Sequence, residues 1–147
     1  NTDAYGGGGI YNFYAMGTAD NPRTPVVFVH EFGHSFAGLA DEYFSSEVAY
    51  QDFYNLKYEP WEPNITTLVN FDAKWKDLLP TNTPIPTPLD DAHKDKAGVF
   101  EGGGYIAKGI YRPMDHCMMR DYAPFCPACS RAILQMIDYF TDKPIKH

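Results

Sequence analysis

The stretch TPVVFVHEFGHSFAGLADEY, Thr24 to Tyr43, decides how the chain is read. It is largely apolar, carries two histidines four residues apart with a glutamate after the first, and closes on a glycine followed by two acids. Thr24 is placed as an N-cap and Pro25 at the first helical position. The apolar run predicts a helix over 25–38. Gly38 is its natural stop, because glycine adopts the left-handed conformation that ends helices at little steric cost. On such a helix His30 and His34 project from one face. They are either core histidines satisfied by hydrogen bonds or the beginning of a metal site.

The neighbours favour the metal. Two imidazoles four residues apart can share one tetrahedral cation, and Glu31 lies beside it but turned from direct ligation. A zinc ion lowers the pKa of its water from about 15.7 to about 7. Glu31 can then take a proton and pass it to a leaving amine, which is the H-E-x-x-H logic of metalloproteases. A catalytic zinc needs a third protein ligand and keeps one position open. If Gly38 turns the chain back, Asp41 is the nearest oxygen ligand, and Glu42 beside it is the rival. An apolar helix, a glycine stop and acids within reach together weigh against histidines that merely fill a core.

The bulk of the sequence sets the bounds. A chain of 147 residues suits one domain able to bury about two thirds of its unfolded surface. With 44% hydrophobic and 21% charged residues, it reads as globular. A net charge of -7 argues against nucleic acid, which needs clustered Lys and Arg. No apolar run approaches the roughly 18 residues of a membrane span. Cys117, Cys126 and Cys129 fall within thirteen residues. Three thiols could begin a zinc site, but a structural site wants a fourth ligand. One disulfide from Cys117 to Cys126 or Cys129, in a secreted setting, is the expectation, with three reduced thiols as the alternative.

Along the chain, four glycines at 6–9 lead into a strand over Ile10–Met16. Residues 45–68 read as loop with short helix, and Asn64-Ile65-Thr66 matches a glycosylation sequon. Asn70–Leu79 reads as a short helix and Pro80–Asp91 as a proline-broken loop. Gly98–Pro113 reads as a strand pair about a glycine turn. Ile133, Met136, Ile137 and Phe140 give the run from Cys126 to Thr141 helical spacing.

At this point a resemblance enters. HEFGHSFAGLADEY, His30 to Tyr43, looks like the active-site segment of the M64 peptidases, called IgA peptidases after one member. It also resembles the wider metzincin clan, whose motif is H-E-x-x-H-x-x-G-x-x-H. Here the glycine stands one residue later, and Asp41, also one later, replaces the last histidine. The DEY ending resembles the immune-inhibitor-type metalloproteases, where an acid takes that place; this supports Asp41 without deciding against Glu42. GGGGIYNFYAM resembles the strand these enzymes place above the cleft. GIYRPMDHCMMRD, Gly109 to Asp121, looks like the segment carrying the Met-turn, an apolar floor beneath the metal. Met119 is chosen from its C-x-M likeness to the usual S-x-M, with Met118 its rival.

The resemblance implies an α+β, metzincin-like zincin domain. It implies zinc held by His30, His34 and Asp41, with Glu31 as general base, and endopeptidase action on a protein or peptide substrate. It places the protein outside the cell or at a bacterial surface. The alternative is a non-catalytic metal-binding or carbohydrate-surface module with a vestigial site. Metzincins usually carry a sizeable sheet and helices before the active-site helix, whereas 29 residues precede His30 here. Residues 1–147 are therefore expected to form a single catalytic domain that is the C-terminal part of a longer enzyme. Helix 25–38 should then expose apolar surface.

Lesser candidates remain. Tyr105, Tyr111 and Tyr122 could donate to an oxyanion, though packing is the plainer role. Arg112 and Arg120 suit structural pairing. His116 and Glu101 could compete as metal ligands. His93 and His147 read as surface residues. The Cys126–Cys129 pair lacks the βαβ setting of a redox motif.

Overall fold

The computed structural model describes residues 2–44 and 53–141. Residues 45–52 of the expected loop, and His147, lie outside them. Among the described residues the architecture is small and α+β: two antiparallel two-stranded sheets and three helices.

Helix α1 spans Thr24–Ala37. Gly38 follows with φ 63, and its N–H returns to the His34 carbonyl at 3.1 Å. A side chain is excluded there twice, by the left-handed backbone and by the Trp61 ring, which a Cβ would meet at 2.6 Å. The N-cap is Arg23 rather than Thr24. Thr24 is already helical, and its hydroxyl donates to the Thr18 carbonyl instead of capping.

The run Ile10–Met16 is not one strand. It is the turn and second arm of a hairpin, with β1 at Gly7–Ile10 and β2 at Tyr14–Gly17. Gly7 pairs with Gly17 and Ile10 with Tyr14. Asn12, at φ 55, supplies the left-handed turn residue, a conformation asparagine tolerates better than most. The glycines form the strand because it lies directly on α1. A Cβ on Gly9 would fall 2.3 Å from the Glu31 carbonyl oxygen and 2.9 Å from His34 Cβ.

Strand β3, Phe100–Gly103, pairs with β4, Ile106–Arg112, through an irregularity between Glu101 and Gly103. Where one helix is expected over Asn70–Leu79, two 3-10 turns stand at Phe71–Ala73 and Lys76–Leu78. Trp75 between them is fully buried and donates its indole N–H to the Gly98 carbonyl at 2.8 Å. Burying and bonding so large a ring outweighs the weak helical preference of ten isolated residues. Helix α2 is one turn, Met118–Asp121, and α3 runs Pro127–Phe140 from a Cys126 cap.

The core lies between the inner face of α1, the N-terminal half of α3 and Trp75. Leu39, Val99, Cys117, Met119, Cys129 and Ala132 fill it. The expected stripe on α3 is only half used. Ile133 and Met136 pack on the core, but Ile137 and Phe140 are exposed, Phe140 stacking on Phe36 of α1. Phe28, Val29 and Phe32 of α1 are 46%, 40% and 41% exposed, so the described residues leave this face of the helix uncovered.

Two further readings change. The cysteines are three free, buried thiols, with Cys117 Sγ and Cys129 Sγ 3.7 Å apart, beyond bonding distance. The sequon is a core feature: Asn64 is fully buried, and its amide bonds to Ala40 and Glu42, leaving no room for a glycan. No helix among the described residues is long and apolar enough to cross a membrane.

Candidate active site

The α1 turn brings His30 Nε2 and His34 Nε2 to 3.1 Å from each other. Beyond Gly38 the chain doubles back and sets Asp41 Oδ1 2.9 Å from His30 Nε2 and 3.3 Å from His34 Nε2. His30 Nδ1 faces the Met118 carbonyl at 2.9 Å and His34 Nδ1 the Leu39 carbonyl at 2.5 Å. A carbonyl only accepts, so each Nδ1 carries the proton and each Nε2 presents a lone pair. Three acceptors thus converge, and Asp41 Oδ1 has no hydrogen-bond donor.

That arrangement fits a zinc ion. Ligands about 2.0–2.1 Å from zinc at tetrahedral angles stand about 3.3 Å apart, close to the separations found. Two imidazoles and a carboxylate are a borderline-soft donor set suited to zinc, and a cation satisfies three lone pairs that otherwise repel.

The acids differ in orientation. Asp41 and Glu42 are neighbours, yet Asp41 faces the histidines while Glu42 is fully buried on the other side, bonded to Asn64 and Cys129. Burial pushes the Asp41 carboxyl up, and the Tyr105 hydroxyl, which donates to it, pulls it down. Glu31 is half-buried, with its carboxylate within 4.8 Å of the imidazole nitrogens. Burial raises its pKa, partly offset by His30 and His34.

Met119 packs beneath α1. It is fully buried, and its sulfur would lie 2.8 Å from a Cβ on Gly33, which sits between the histidines on α1. Met118 contributes its carbonyl to His30 rather than its side chain. The open side is a cleft of about 390 Å³, lined by Gly7, Gly8 and Gly9 on one wall and by Trp61 and Tyr105 among others.

The sequence matches the family model described as IgA Peptidase M64 over residues 1–97 and 89–137. The chain belongs to the M64 peptidase family. No curated protein matches it.

In this M64 peptidase the remaining candidates separate cleanly. Tyr105 donates to Asp41 Oδ2, so it supports the third acceptor of the cluster. Tyr122 stands with its ring 5.6 Å from that of His30, its hydroxyl bonded to Tyr5. Tyr111 packs against the core and bridges Thr66 through its backbone. Arg112 is fully buried, donating to the Glu101 and Gly102 carbonyls, and Arg120 pairs with Asp115. His116 is exposed and paired with Asp121, Glu101 is paired with Lys108, and His93 with Asp90; none faces the cluster. Sequence reasoning missed Asn64, whose amide takes both Ala40 polar groups and so shapes the loop delivering Asp41. Only its sequon was visible, and that signal pointed elsewhere.

Proposed function

We propose that this M64 chain is a zinc-dependent endopeptidase of the metzincin type, with His30, His34 and Asp41 as metal ligands, Glu31 as general base and Met119 as the Met-turn floor. The observation that carries it is the meeting of three acceptor atoms, 2.9–3.3 Å apart, at the bottom of an open cleft that also holds Glu31.

Zinc, when bound, acidifies a water and polarises a scissile carbonyl. The chain's own groups do the rest. The Met118 and Leu39 carbonyls fix both imidazole tautomers, and Tyr105 orients Asp41. Glu31, made a stronger base by burial, accepts the proton of the attacking water and returns it to the departing amine. Strand β1 offers glycine backbone along the cleft, where an extended peptide can pair by main-chain hydrogen bonds. The cleft-lining strand is thus Gly7–Ile10 rather than Ile10–Met16.

The same reading has the enzyme act outside the cell or at a bacterial surface.

Glu31→Ala tests the mechanism. Zinc content should stay as in wild type, while peptide hydrolysis falls about 10²- to 10⁴-fold. An undiminished rate, free of wild-type carry-over, overturns the role of Glu31. A vestigial, non-catalytic module would give no chelator-sensitive cleavage of a peptide library even in the wild type.

A further inference from the structure

Where Asp41 turns toward the histidines, Glu42 turns into the core. There Glu42, Cys117, Cys126 and Cys129 each offer one ligand atom, and all four atoms lie within 4.8 Å of one another. We propose that these four residues hold a second divalent cation, a structural zinc, in a closed site separate from the histidine cluster.

The donor set has the right number and kind. Three sulfurs and one carboxylate oxygen complete the tetrahedron that the cysteines alone leave short, and structural zinc sites are four-coordinate with no open position. All four residues are essentially inaccessible to solvent. Thiolates about 2.3 Å from zinc stand about 3.8 Å apart at tetrahedral angles. Cys117 Sγ and Cys129 Sγ are 3.7 Å apart, and Cys129 Sγ is 3.2 Å from Glu42 Oε1.

The carboxylate is the feature that other readings leave unexplained. Three thiols would pack contentedly as small apolar groups. Glu42 among them is another matter: its Oε1 accepts from Asn64 at 2.9 Å, but its buried Oε2 has no donor. A buried carboxylate oxygen without a partner is costly, and a cation at the centre of the cluster supplies one. A disulfide would use two sulfurs and leave Glu42 facing the third.

The surroundings suit thiolates. The Cys126 N–H points to Cys117 Sγ at 3.4 Å, and the Cys129 N–H to Cys126 Sγ at 3.5 Å. Cys126 and Cys129 also sit at the N-terminus of the 14-residue helix α3, where the helix dipole favours negative charge.

The site would act as a clamp. Glu42 belongs to the segment that delivers Asp41, Cys117 immediately precedes the Met118–Met119 pair, and Cys126 and Cys129 open α3. The Glu42 N–H already bonds the Met119 carbonyl at 2.8 Å. One cation would tie these three segments together behind the cleft, positioning Asp41 and the Met119 floor without touching substrate.

The test uses the full chain, purified both with and without reductant, with metal counted per chain in the wild type and in H30A/H34A. The double variant should keep about one equivalent of zinc. Exchanged with cobalt, it should show the thiolate-to-cobalt charge-transfer band and strong tetrahedral d–d absorption. E42Q, of equal size but uncharged, should weaken cobalt binding in that band; C129S should abolish the band, and if C129S does not fold the double variant still decides. A double variant holding no zinc and giving no thiolate–cobalt band overturns the proposal. So does a mass, in protein unfolded without reductant, lower by two hydrogens for a disulfide. A wild type that holds no more metal than the double variant, with the thiolate band intact, would instead strike the catalytic reading.

Discussion

The Tyr105 hydroxyl donates to Asp41 Oδ2 while Asp41 Oδ1 faces the two imidazoles. One carboxylate is thereby split between a phenol that orients it and the acceptor cluster it completes. Tyr105 comes from the turn between β3 and β4, so a distant hairpin sets the angle of the third acceptor. Burial and the nearby Asp41 charge raise the Tyr105 pKa, which keeps the phenol a donor at any working pH.

Tyr105→Phe should therefore leave the fold intact and loosen the metal. Losing an orienting partner of a ligand typically lowers metal affinity about 10- to 100-fold. Competition against a graded series of chelators reads this directly. Equal zinc affinity in the variant would mean that Asp41 holds its angle without the phenol.

Gly9→Ala should disturb catalysis more than metal binding. The added methyl meets the Glu31 carbonyl oxygen at 2.3 Å, so the hairpin must lift from α1. Overpacking of this kind costs about 1–3 kcal/mol. The expected result is a lower Tm and a reduced kcat/KM with zinc stoichiometry unchanged. Wild-type kinetics would show that β1 does not shape the peptide-binding wall.

Asn64→Ala should be among the more damaging single changes. It strips partners from the Ala40 N–H, the Ala40 carbonyl and Glu42 Oε1 inside the core. Each buried group left unsatisfied costs about 1–3 kcal/mol. Thermal unfolding should show a large drop in Tm, and chelator competition a weaker histidine site, since the loop bearing Asp41 loses its brace. A variant as stable as wild type would reassign the brace to other contacts.

Asp77 gives a pH-dependent test far from the cleft. Hydrogen bonds from Arg131, at 2.7 and 2.8 Å, hold its carboxyl below its ordinary value, and the pair ties α3 to the second 3-10 turn. A depressed carboxyl contributes stability above its unfolded pKa and loses it as pH falls through the folded value. The carboxylate is exposed, so its contribution is about 1 kcal/mol or less. Asp77→Asn should lower Tm slightly at neutral pH and not at all in strongly acidic buffer. A Tm difference that persists in acid would point to packing rather than charge.

Much of this was legible because punctuation residues carry local rules. Proline at 25 and glycine at 38 bounded α1 to within a residue, and the histidine spacing placed both rings on one face. The hairpin was harder. A glycine run carries no apolar pattern, and its reason for being there, the backbone of Glu31 a few ångströms away, belongs to a different element. Asp41 and Glu42 could not be ranked by spacing, because Gly38 alters the geometry of everything after it. The cysteines show no fourth partner nearby in the sequence, since Glu42 lies 75 positions before Cys117 and stands beside Asp41, next to the other cluster. Asn64 was read for its outward chemistry when its amide is spent inward.

Loops usually absorb insertions and deletions freely. The few residues from Gly38 to Glu42 should not. Removing one would carry the longer glutamate toward the imidazoles and bring a tyrosine to the sulfurs; adding one would deliver an alanine where a carboxylate is required. Natural variation in this segment should therefore conserve its length, and with it the places of Gly38, Asp41 and Glu42, even though it contains neither helix nor strand.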